Sequence, residues 1–115
     1  MTFKSLIIAS AILSLYFNVQ SVKADKAAPI VIEIHFDQHR FNPEKIEVQA
    51  GVPLVIRVVN SSKERIEFES FKLNREKVVD PGQTILVHLP ALGAGSYDFF
   101  DDFHDDVPEG AIIAR

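Results

Sequence analysis

Hydrophobic and polar positions alternate through most of the chain beyond residue 28. "PIVIEIHF" sets Ile30, Ile32 and Ile34 on one side and Val31, Glu33 and His35 on the other, and "KIEVQAG" puts Ile46 and Val48 on one face before Gly51. A period of two is that of a half-buried strand. "VPLVIRVVN" is more continuously apolar and predicts a strand buried on both faces, after which "RIEFESFKL", "EKVV", "TILVHLP", "SYDFF" and "GAIIAR" supply further short strands. The turn signals "DPGQ" and "LGAG" punctuate them. Pro81-Gly82 suits a tight reversal after Asp80, and Gly93 and Gly95 free the backbone before the aromatic strand. No window carries a helical period, and turns spaced roughly 8–12 residues apart predict an all-β fold, a two-sheet Greek-key sandwich.

The pattern breaks at the N-terminus. "MTFKSLIIASAILSLYFNVQSVKA" has an early Lys4, an apolar run from Leu6 to Phe17, and small residues Val22 and Ala24 at the minus-three and minus-one positions of a cut. Residues 1–24 therefore read as a signal peptide, because the run is short of the roughly 20 residues that span a bilayer. Cleavage would leave residues 25–115 as one exported domain with no direct membrane insertion. Losing Lys4 and Lys23 and no acid leaves ten basic against 16 acidic residues, a formal charge of −6. That sign argues against nucleic acid and anionic lipid as partners and is compatible with cations. The chain has no cysteine. Disulfides, thiolate nucleophiles, zinc-thiolate sites and cysteine-bound copper are all excluded.

Candidate chemistry concentrates where the aromatic strand ends, in "YDFFDDFHDD". Asp101 follows Tyr97 and Phe99 in phase, so it points toward the top of the core. A lone buried carboxylate costs several kcal/mol and needs a positive partner, hydrogen bonds or a metal. His104 lies three residues on, and Asp102, Asp105, Asp106 and Glu109 crowd the same loop. Glu67 and Glu69 share a strand face with Phe71 and Leu73, while the opposite phase of Ile66, Phe68 and Ser70 runs into Lys72, so alternation does not choose between the two faces. Singly, each acid reads as a solvated side chain. Gathered at one end of a small domain, like charges repel unless a cation is bound, and oxygen donors with an imidazole suit iron, manganese or copper(II). His39, in "DQHRFNP", is a further candidate ligand beside its plainer reading as an exposed loop histidine. His35 and His88 read as structural, and Glu76 with Lys77 as a surface ion pair.

From "FNPEKIEVQAGVPLVIRVVN" through "EFES", "EKVVDPGQ" and "FFDDFH", the chain resembles a cupredoxin-like domain over about Ile30 to Ala114. More narrowly it resembles the periplasmic cupredoxin-like component of bacterial iron-permease uptake systems, related to the cupredoxin-like domain of EfeO-type iron-uptake proteins. The resemblance implies a Greek-key β-sandwich or barrel of cupredoxin type. It sets Asp101 at the position of the copper cysteine and His104 at that of a copper histidine, and the other copper histidine falls near Glu67 or Glu69. The axial methionine has no counterpart, Met1 being the only methionine, and Glu109 is the nearest donor there. A blue-copper electron carrier is excluded, since its chemistry depends on the copper–thiolate bond. What the resemblance implies instead is a site of harder ligands. Asp101, His104 and one or both of Glu67 and Glu69 would hold the metal, with Asp102 and Glu109 in support. Its metal would be ferrous or ferric iron, or copper, in a periplasmic protein that binds or oxidises iron. A membrane iron permease and a second periplasmic metal-binding protein would be its partners. Two other readings stand beside it: a copper(II)-binding or redox-silent accessory protein, and an interaction module in which Asp101 pairs with a lysine or arginine.

Overall fold

The computed structural model describes residues 27–115, together with Thr2 and Ser14; the signal peptide read over residues 1–24 otherwise lies outside the described residues. Nine strands follow one another: β1 (Ile30–Asp37), β2 (Arg40–Asn42), β3 (Lys45–Val48), β4 (Leu54–Asn60), β5 (Ile66–Ser70), β6 (Arg75–Val79), β7 (Thr84–Leu89), β8 (Gly95–Asp101) and β9 (Gly110–Ala114). They form a four-stranded sheet of order β2-β1-β4-β7 and a five-stranded sheet of order β3-β9-β8-β5-β6. The pairs β1/β4 and β3/β9 are parallel, and the other pairs are antiparallel. An all-β fold of two packed sheets is thus what the alternating pattern produces.

Alternation also decides which side chains face the core. Ile34 and Phe36 of β1, Leu54, Ile56 and Val58 of β4, Ile66 and Phe68 of β5, and Phe99 of β8 are all buried. Four phenylalanines meet at the centre in edge-to-face and tilted contacts: Phe41 stands 5.2 Å from Phe36, 5.2 Å from Phe99 and 6.3 Å from Phe68, and Phe68 is 5.2 Å from Phe99. Such pairs contribute about 0.5–1.5 kcal/mol each beyond the area they bury.

Two details depart from the sequence reading. The "VPLVIRVVN" strand is not buried on both faces, because Arg57 is exposed and Val55 and Val59 are only half-buried. Its outer face borders solvent, where Arg57 Nε lies 3.2 Å from Glu33 of the neighbouring β1. The short β2 inside "DQHRFNP" has no counterpart in the sequence reading. It exists because Gln38 and His39, with φ of 51° and 60°, fold β1 back on itself through a two-residue turn of the kind that matches strand twist.

Gly110 opens β9 where the two sheets close together. A Cβ there would stand 2.2 Å from Cζ of Phe99 and 2.7 Å from the backbone oxygen of Glu44. Gly110→Ala is therefore expected to destabilise the fold by about 3 kcal/mol, at the upper end of overpacking costs. Gly93→Ala, where the nearest atom is 3.9 Å away, should change stability by no more than about 0.5 kcal/mol. Urea unfolding of the two variants measures the difference, and equal midpoints would contradict this packing.

Candidate metal centre

Asp101 ends β8 with its side chain turned into the barrel end, 2% exposed. It has no lysine or arginine partner among the described residues. Its charge is met by hydrogen bonds: Oδ1 accepts from the backbone amides of Glu67 and Phe103, each at 3.0 Å, and Oδ2 lies 2.6 Å from Nδ1 of His104. The backbone turn His104 N to Asp101 O, 3.2 Å, brings the imidazole back over the carboxylate. The outward Nε2 of His104 is 3.8 Å from Oε1 of Glu64.

Glu64 in turn meets a second imidazole. Both its oxygens contact Nδ1 of His39, at 2.9 and 3.0 Å, and Nε2 of His39 lies 2.6 Å from Asp106. The His39 and His104 rings are 5.4 Å apart, edge to face. Three segments thus close over the barrel end as one polar chain, Asp101–His104–Glu64–His39–Asp106. His39 is held there by the left-handed backbone of the β1–β2 turn, a conformation that persists in a non-glycine residue only where the surroundings fix it. Glu64 is positioned by Asn60, which is 1% exposed and fully satisfied. The Asn60 Nδ2 donates to the carbonyls of Glu64 and Val79, and its Oδ1 accepts from the amide and hydroxyl of Ser62. Hydrogen bonding to Glu64, then to Asp106, raises the pKa of His39 above the ordinary histidine value, and the same His39 contact lowers that of Asp106.

The sequence candidates divide. Asp101, His104 and His39 join the barrel-end chain, and Glu109 lines a cleft of about 230 Å³ with Asp101, Asp102 and His104. Glu67 and Glu69 do not join it. The phase that alternation left open resolves with Ile66, Phe68 and Ser70 inward, so the two glutamates project from the opposite face of β5. Phe68, fully buried, is the side chain that β5 sets opposite Asp101 in the ladder. Asp102 is exposed, and its amide extends the ladder to the Glu67 carbonyl at 3.1 Å. Glu64 was missed by the sequence reading. Its signal was the Asn60 and Ser62 that fix its loop, Asn60 buried and Ser62 half-buried, which a strand pattern does not weigh. Glu76 does not pair with Lys77, whose Nζ donates to the Leu86 carbonyl. Glu76 instead faces Glu69 across the β5–β6 ladder.

A small two-sheet barrel with an aspartate at the end of β8, two imidazoles and no sulfur donor defines a cupredoxin-type domain without a copper thiolate. The chain belongs to the family of the cupredoxin-like domain, whose model matches residues 6–114. It is 36% identical over 84 residues to Uncharacterized protein RP394 of Rickettsia prowazekii (strain Madrid E), an alignment covering 73% of this chain and 67% of that protein. Among solved structures it is similar to auracyanin A, a blue copper protein of Chloroflexus aurantiacus, at TM-score 0.63 and 16% identity over 76% of this chain and all of that one. It is also similar to the metal-binding domain of the Cu(I)-exporting ATPase CopA of Streptococcus pneumoniae D39, at TM-score 0.66 and 14% identity over 74% and 84% of the two chains. Amicyanin of Paracoccus versutus gives TM-score 0.57 and 20% identity over 77% and 83%. At these identities the likeness is one of fold.

The residues present do not fit a blue-copper centre. A thiolate is lacking, the β5 position facing Asp101 is apolar, and Asp101 is already occupied by two amides and an imidazole. The donors gathered at the barrel end are nitrogen and oxygen alone, the types that harder ions take.

On the other face, the Glu67 carboxyl is pushed up to about 7 by the Glu76 carboxyl beside it, which favours holding a proton for a hydrogen bond between them, then by burial and by the charges of Glu76, Asp102 and Glu69. Because the folded state then holds this proton more tightly than the unfolded chain, the stability it contributes is present below pH 4.5 and is lost as pH rises through about 7. His39, also raised, acts in the same direction. The melting temperature of the metal-free protein is therefore expected to fall between pH 5 and pH 8, and Glu67→Gln to remove most of that fall. Circular dichroism melts across the range measure it; a flat wild-type profile would contradict the assignment.

Proposed function

We propose that this is an exported cupredoxin-like protein of iron acquisition, which binds iron at the barrel end and passes it to a membrane permease with the help of a second periplasmic metal-binding protein. The donor set carries the reading. His39 and His104 both approach Oε1 of the Glu64 carboxylate, with Asp101 fixing the orientation of His104. Two imidazoles and one carboxylate are the donors of non-haem ferrous sites, and this chain lacks the cysteine that would favour copper. A carboxylate hydrogen-bonded to the far nitrogen of a ligating histidine sets its tautomer and orientation, which is the relation of Asp101 to His104. The N-terminal signal pattern supports export, and the resemblance to permease-linked domains supports the partners.

Anaerobic calorimetry with ferrous ion tests the reading. Wild-type protein is expected to bind iron, and Asp101→Ala/His104→Ala to weaken that binding by roughly 10–100-fold or more. Absence of iron binding by the wild type contradicts it.

One observation favours a second reading, a copper(II)-binding or redox-silent accessory protein. Asp101 is satisfied by three hydrogen bonds and so is not free as an oxygen donor to iron, which leaves the imidazoles of His39 and His104, donors that copper(II) takes. Copper(II) bound in the same titration with ferrous ion ignored would select that reading.

A further inference from the structure

The outer face of the five-stranded sheet carries acids that the barrel-end chain does not use. Glu67 and Glu69 of β5 and Glu76 of β6 each offer an oxygen, and the three lie within 4.8 Å of one another. Glu69 and Glu76 face each other in the antiparallel ladder, with Glu67 two residues along.

Exposed acids commonly gather without a ligand. Glu67 is a different case. It is 6% exposed, and its Oε1 is buried with no hydrogen-bond partner. An unpaired buried acceptor forfeits about 1–3 kcal/mol, and more when charged. Among the described residues no lysine, arginine or histidine forms an ion pair with any of the three glutamates. The cations nearby in sequence are committed elsewhere. Lys72 donates to the Ser96 carbonyl, Lys77 to that of Leu86, and Arg75 to those of Leu73, Asn74 and His88. Asp102, tied to the Glu67 carbonyl through its amide, adds a further negative charge beside the group.

We propose that Glu67, Glu69 and Glu76 form a second cation site, separate from the barrel-end chain, that takes a hard divalent ion through oxygen donors alone. A cation at this spot would satisfy the orphaned Oε1 and offset the mutual repulsion of the acids. Carboxylates without sulfur or imidazole suit magnesium, calcium or manganese. The two sites stand back to back through one residue: the Glu67 amide donates to Asp101 while its carboxylate faces the other way. The outer site does not depend on iron binding at the barrel end.

Manganese(II) is the probe, because its paramagnetism erases the NMR signals of nearby amides. Titrated into the isotope-labelled, metal-free protein, it is expected to bleach the amides of Glu67–Glu69 and of Glu76, and paired variants discriminate between the two sites because only β5 separates β6 from β8. Glu69→Gln/Glu76→Gln should weaken manganese binding by roughly tenfold or more, as loss of ligand charge does. His39→Ala/His104→Ala should leave the bleaching at Glu76 in place. Bleaching confined to the His104 loop with Glu76 sharp, or bleaching at Glu76 unchanged in the double glutamine variant, would overturn the proposal. Either result leaves the ferrous titration of the barrel end to be judged on its own.

Discussion

A carboxylate withdrawn from water at the mouth of a small barrel must be compensated, and the compensation of Asp101 organises everything around it. Its oxygens take the amide of Glu67 from β5, the amide of Phe103 from its own loop, and the imidazole of His104. Those three contacts join the end of β8 to β5 and fold the following loop back over the core. The remaining polar groups follow from the position of His104: Glu64 beside its outer nitrogen, then His39, then Asp106. Where a copper protein of this fold ties its loops with a metal–sulfur bond, this chain ties them with a hydrogen-bonded carboxylate.

Strand β5 separates two chemistries by the simple alternation of its side chains. One face is apolar through Ile66 and Phe68 and closes the core. The other carries Glu67 and Glu69 toward Glu76. Its backbone serves both, since the Glu67 amide reaches Asp101 from the strand whose side chain looks outward. A mixed-ligand barrel end and an oxygen-only outer face thus lie a strand's thickness apart.

The fold was legible because period-two alternation and turn residues reported it directly, and the phenylalanine core follows from the same phase. Register gave out where both phases of "RIEFESFKL" were amphipathic: the decisive quantity was the packing of Phe68 against Phe41 and Phe99, which is a tertiary contact. The inward aim of Asp101 was readable from Tyr97 and Phe99. Glu64 was not, because a loop glutamate acquires meaning only when Asn60 pins its carbonyl and two histidines, distant in sequence, reach it. The β1–β2 turn was equally silent, since Gln38 and His39 lack the glycine or asparagine that usually signals it.

Amide hydrogen exchange in the metal-free protein tests most directly whether the Asp101 carboxylate, and not a bound ion, holds the barrel end together. Slow exchange of the Glu67 and Phe103 amides in the wild type, lost at both in Asp101→Ala while β4 amides stay protected, is the predicted result. Exchange of both amides in the metal-free wild type as fast as in an open loop would contradict it.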